Sequence, residues 1–120
     1  MKRVLVADDK ASSRELVRTV LERCGYEVME AADGVEAVEM ARAGRPDLIL
    51  LDLHMPALDG FGAIGRLRRE AAFDASRVVA LTASAMDVDR EQALAAVFSG
   101  YITKPIRLAT LRSEVERLLG

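Results

Sequence analysis

Five short apolar runs, each followed by a stretch with helical spacing, predict an α/β chain. Its five β/α units would build a doubly wound, five-stranded parallel sheet with helices on both faces. The runs are Val4–Ala7, Tyr26–Met29, Leu48–Leu51, Val78–Leu81 and Tyr101–Ile102. Spread over 120 residues they give 120/5, or 24 residues per unit, so one domain over 1–120 is expected, with no linker. Right-handed crossovers put the helices on both faces.

Taken in order, each element has its own signal. Val4–Ala7 stops at Asp8-Asp9. The first helix carries a face of Leu16, Val17, Val20, Leu21 and Cys24, with Ser12 and Glu15 spaced as a capping box and Gly25 as its stop. Cys24 on that face reads as a buried hydrophobe. After Tyr26–Met29, Asp33 and Glu36 open a second helix whose face is Val35, Val38 and Ala41, and Gly44 with Pro46 closes it. Leu48–Leu51 is followed by a third helix over about 59–70. Val78–Leu81 is followed by a fourth over about 87–97, with a weak stripe of Ala93, Leu94 and Val97. Tyr101–Ile102 precedes the cleanest stripe, Leu108, Leu111, Val115 and Leu118.

Composition removes several classes. Lys plus Arg is 17 and Asp plus Glu 19, so the net charge is −2, without the basic field that sequence-independent nucleic-acid binding needs. Aromatics are 4%, so the core is aliphatic and base-stacking platforms are not expected. A single cysteine excludes an intrachain disulfide and a multi-cysteine metal cage. Asp8 and Asp9 interrupt the first apolar run too early for a secretory signal or a membrane span, which predicts a cytoplasmic protein.

In open parallel sheets, ligands sit outside the carboxyl ends of the strands, where the strand order reverses. Those ends carry Asp8 and Asp9 after the first strand, Asp52 after the third, Thr82 after the fourth, and Lys104 with Pro105 after the fifth. Singly, each has a plain role: Asp9 as a helix cap, Thr82 as a local hydrogen bonder, Lys104 as a solvated cation. Asp52 directly ends an apolar run, where a carboxylate is poorly solvated and needs a partner.

Asp8, Asp9 and Asp52 bring −3. At an effective dielectric of ~20, each pair about 4 Å apart repels by roughly 4 kcal/mol. Lys104 and a divalent cation bring the sum to zero. An all-oxygen donor set without His or thiolate clusters selects Mg²⁺, or Mn²⁺, over Zn²⁺. Such a site suits phosphoryl transfer, with Asp52 as nucleophile and Lys104 and the Thr82 hydroxyl on the phosphoryl oxygens.

The chain resembles the receiver (phosphoacceptor) domain of bacterial two-component response regulators along nearly its whole length. The matching residues are Asp8-Asp9, Leu51-Asp52-Leu53-His54-Met55-Pro56 with Asp59-Gly60, Leu81-Thr82-Ala83, and Tyr101-Ile102-Thr103-Lys104-Pro105. The resemblance implies a flavodoxin-like strand order, 2-1-3-4-5. It implies that Asp52 accepts a phosphoryl group from the phosphohistidine of a sensor histidine kinase or histidine phosphotransfer protein. It also implies Mg²⁺ held by Asp9, Asp52 and the backbone carbonyl of His54, with Asp8 acting through water. Thr82 and Tyr101 would form the switch, the Lys104–Pro105 bond would be cis, and output would pass to a downstream protein target. On this reading the chain catalyses only its own phosphorylation and dephosphorylation.

Some residues depart from the family pattern. Phe61-Gly62 replaces a more usual acidic residue, and Ala95-Ala96-Val97-Phe98 is unusually apolar, either as core or as a partner surface. His54 either contributes only its carbonyl or, with Ser84, controls water access to the phosphoryl group. Two other functions stay open. An aspartate-nucleophile phosphohydrolase would want a second acid where His54 stands, and a structural receiver module would have lost a site residue. Lys104-Pro105-Ile106 tends toward single-domain regulators and hybrid kinases. Met1 so close to the first strand favours a stand-alone receiver over a piece of a longer protein.

Overall fold

The computed structural model describes residues 2–55, 57, 60–69, 77–82 and 98–119. Pro56, Asp59, Ala83, Ser84, Val97 and the fourth predicted helix lie outside them. Along the chain run β1 (Arg3–Ala7), α1 (Ala11–Arg23), β2 (Glu27–Ala31), α2 (Gly34–Gly44), β3 (Leu48–Asp52), α3 (Gly60–Arg68), β4 (Arg77–Thr82), β5 (Gly100–Thr103) and α4 (Leu108–Leu119). The five strands pair in parallel in the order β2-β1-β3-β4-β5, the predicted architecture.

Side-chain alternation splits the core into two layers. Leu5, Ala7, Ile49, Leu51, Val78 and Ala80 pack with residues of α2 and α3. Val4, Val6, Leu48, Leu50, Val79 and Leu81 pack with residues of α1 and α4. The central strands β1, β3 and β4 are thus buried on both faces, which is why their sequences read as unbroken apolar runs.

Helix punctuation holds in part. Asp33 caps α2 by accepting from the Glu36 N–H at 2.8 Å, while Glu36 Oε1 accepts from the Ala32 N–H at 3.2 Å. Gly25, at φ +93°, ends α1 in a Schellman turn. Its N–H donates to the Glu22 carbonyl and the Tyr26 N–H to the Leu21 carbonyl, both at 3.1 Å. Gly44 remains helical instead: a Cβ there would run into the Met29 side chain, and the left-handed cap is Arg45.

Three expectations are corrected. The Ser12–Glu15 box does not start α1; the helix begins at Ala11 with Lys10 as N-cap, because the Lys10 N–H turns back onto Asp8 Oδ1 at 2.9 Å. Cys24 is exposed, since the chain turns at this cap and Tyr26 takes the place against the core. Leu16, Val35 and Leu108 stand at the edges of their stripes and are also exposed, and Leu119 completes the buried face of α4. Phe98, by contrast, packs in the core beside α2 and α3.

Candidate functional site

Sheet register brings the strand ends together. Ala7 pairs with Leu51, so Asp8 and Asp52 follow side by side at the carboxyl edges of β1 and β3. Asp52 pairs with Leu81 and Thr82 with Thr103, which puts Thr82 and Lys104 on the same edge. This is where the strand order reverses, between β1 and β3.

Three carboxylates converge there. Asp8, Asp9 and Asp52 each offer an oxygen, and these atoms all lie within 4.8 Å of one another. Asp8 and Asp52 are buried and Asp9 is exposed. Asp9 is not the N-cap of α1, so the plain capping role does not account for it. Lys104 Nζ stands 3.0 Å from Asp8 Oδ2 and 3.1 Å from Asp52 Oδ2. The first contact is an ion pair outside hydrogen-bond alignment, so buried Asp8 Oδ2 has no aligned donor among the described residues. The other Asp52 oxygen accepts from the His54 N–H at 3.0 Å.

These surroundings set the charges. Burial dominates at Asp52 and raises its pKa, and the Asp8 charge acts in the same direction; the His54 N–H and Lys104 oppose them. At Lys104 burial is the largest single influence and works against the charge. Asp8 and Asp52 together outweigh it and raise the pKa. The ammonium is therefore held firmly charged beside a carboxylate that one added cation would stabilise.

A cleft of about 180 Å³ opens over this group, lined by Asp9, Lys10, Asp52, His54 and Lys104. A larger hollow of about 550 Å³ lies between β5 and α4, but Asp8, Asp9 and Asp52 do not line it. Thr82 is buried at the end of β4, and its carbonyl accepts from the Lys104 N–H at 2.7 Å. Tyr101 is exposed on β5, and the Lys104–Pro105 peptide bond is cis. Lys10 and Arg14 were missed by sequence reasoning. The Lys10 N–H holds Asp8 Oδ1, and Arg14 donates to the Asp8 carbonyl at 2.7 Å. Backbone contacts of this kind leave no mark on residue type.

The chain belongs to the response regulator receiver domain family, whose sequence profile matches residues 4–116. It is thus a receiver domain of two-component signalling, a signalling module rather than a classical enzyme. A probable transcriptional regulator of Cyanophora paradoxa is 37% identical over 98% of this chain and 48% of its own length. The chain spans about half the length of that relative. The chemotaxis response regulator CheY4 of Vibrio cholerae is 34% identical, with a TM-score of 0.92 over 99% of both chains. The receiver domain of the Pseudomonas aeruginosa sensor histidine kinase PA1611, solved with magnesium coordinated in its active-site cleft, is 33% identical. Its TM-score is 0.89, over 98% of this chain and 96% of that one. Similarity thus extends to a regulator of transcription and to a kinase receiver. Among the described residues, no helix is long and apolar enough to cross a membrane.

Proposed function

We propose that this receiver, over residues 1–120, takes a phosphoryl group from a phosphohistidine onto Asp52 and signals through a protein partner. The observation that carries this reading is the meeting of Asp8, Asp9 and Asp52 within 4.8 Å, with Lys104 on one Asp52 oxygen. The same residues fit a magnesium ion. Their donors are hard oxygens, and buried Asp8 Oδ2 lacks an aligned donor. Asp9, Asp52 and the His54 carbonyl would hold the metal directly and Asp8 through water, and Mn²⁺ would substitute. Bound there, the ion supplies positive charge to the phosphoryl oxygens.

The remaining chemistry belongs to the chain. An Asp52 oxygen attacks phosphorus, and the P–O bond forms as the bond to the donor imidazole nitrogen breaks, its electron pair returning to the ring. Lys104 neutralises one phosphoryl oxygen and the Thr82 hydroxyl donates to another. Phosphorylation adds charge and acceptor oxygens at Asp52. The added pull on Thr82 and Lys104 biases the β4 end and, through it, Tyr101, which turns inward from its exposed position. The donor is a sensor histidine kinase or a histidine phosphotransfer protein in the cytoplasm. The output is a protein contact, without direct nucleic-acid or membrane binding.

Acetyl phosphate tests the transfer without a kinase. Intact mass should rise by one phosphoryl group in Mg²⁺ and not in EDTA, and Asp52→Asn should not gain it. Equal labelling of Asp52→Asn contradicts the reading.

A further inference from the structure

Arg14 lies on α1, one turn past the N-cap, and is partly buried. Its Nη1 donates to the Asp8 backbone carbonyl at 2.7 Å, while its Nε lies 3.3 Å from Glu30 Oε1 on β2. The Asp8 N–H in turn donates to the Ala31 carbonyl at 3.1 Å. Both backbone groups of Asp8 are therefore tied to β2, one directly and one through the Arg14 guanidinium. Glu30 is also fixed from its second oxygen, which lies 2.7 Å from Arg18 Nη1.

We infer that Arg14 is a positioning residue for the acidic cluster: with Glu30 it clamps the Asp8–Asp9 peptide between α1 and β2, and so sets divalent-cation affinity. This rests on the metal reading given above. The Asp8 carbonyl and the Asp9 N–H share one rigid peptide plane, so a donor on that carbonyl fixes where the Asp9 chain leaves the strand. Asp9 is the exposed member of the cluster, the one with least packing to hold it. A planar guanidinium with several donors can hold a carbonyl and a carboxylate at once, which a lysine ammonium does less rigidly. The salt bridge itself is peripheral and contributes little to stability; its role is orientation.

The test compares wild type with Arg14→Met, Arg14→Lys, Glu30→Gln and Arg18→Met. Mg²⁺ affinity is read by calorimetry, and hydrogen exchange at the Lys10 amide is read in EDTA. Outer-shell partners of metal ligands typically change affinity 10–100-fold, so Arg14→Met should weaken Mg²⁺ binding about tenfold. Glu30→Gln should weaken it less, Arg14→Lys should recover part of it, and Arg18→Met, which touches the clamp only through Glu30, should weaken it no more than Glu30→Gln does. The Lys10 amide, which donates to Asp8 Oδ1, should exchange faster in Arg14→Met without any metal. Unchanged affinity and unchanged exchange in Arg14→Met, or an equal loss in Arg18→Met, overturn the clamp. Absence of Mg²⁺ binding by wild type defeats the metal reading instead, and the exchange measurement still decides the clamp. Should Arg14→Met fail to fold, Glu30→Gln and Arg14→Lys carry both measurements.

Discussion

Lys104 Nζ and Asp52 Oδ2 lie 3.1 Å apart although 52 positions separate them in the chain. Neither residue sits on a neighbouring strand of the other. β4 stands between them, pairing Asp52 with Leu81 on one side and Thr82 with Thr103 on the other. The ammonium reaches across the end of that strand, so the contact depends on the register of three strands at once.

Lys104→Met should destabilise the metal-free protein. It leaves two buried carboxylates facing each other without their cation. Breaking a fully buried pair costs about 3–5 kcal/mol. Because Lys104 keeps 21% of its side-chain exposure, about 2 kcal/mol is expected in urea unfolding in EDTA.

Asp52→Asn should act in the opposite direction and stabilise the metal-free protein by about 0.5–2 kcal/mol, as relief of functional-site strain commonly does. The folded pKa of Asp52 lies above its ordinary 3.8. A group raised in this way contributes stability below its unfolded pKa and loses it as pH rises through the folded one. The advantage of Asp52→Asn should therefore be small below about pH 4 and grow to a plateau above the folded pKa. Unfolding curves across pH in EDTA check this; an advantage constant with pH contradicts it.

Divalent cation should reverse that order. At a Mg²⁺ concentration about 100 times the dissociation constant, wild type should gain about 2.7 kcal/mol. Asp52→Asn and Asp9→Asn should gain much less. Chelation should return wild type to its starting stability in thermal melts.

Gly25→Ala tests the end of α1. Nothing lies within 4 Å of a Cβ at this position, so the backbone conformation at φ +93° is the whole effect. A left-handed residue with a side chain costs about 1–2 kcal/mol. That loss should appear in urea unfolding without any change in Mg²⁺ affinity.

Much of the fold was legible because β1, β3 and β4 are buried on both faces and so have no polar alternation to confuse them. The strand-end residues Asp8, Asp9 and Asp52 were legible for the same reason, because each stands where such a run stops; Lys104 follows the shorter, half-exposed β5, and the sheet brings all these ends together. Helix faces were less so. Leu16, Val35 and Leu108 have the right spacing but fall at the margin of their stripes, where neighbouring elements no longer cover them. Cys24 was misplaced because a Schellman turn changes the chain direction at that residue. Arg14 escaped notice because it acts on a backbone carbonyl, and such partners are set by three-dimensional placement alone.

The most direct measurement of the central claim is borohydride trapping after incubation with acetyl phosphate and Mg²⁺. Borohydride reduces an acyl phosphate to an alcohol and so converts the modified aspartate to homoserine, which peptide mass spectrometry locates. Homoserine at position 52, dependent on Mg²⁺ and sharply reduced in Lys104→Met, is the predicted result. Homoserine at position 8 or 9, or no reducible phosphoryl group anywhere in the chain, would contradict Asp52 as the acceptor.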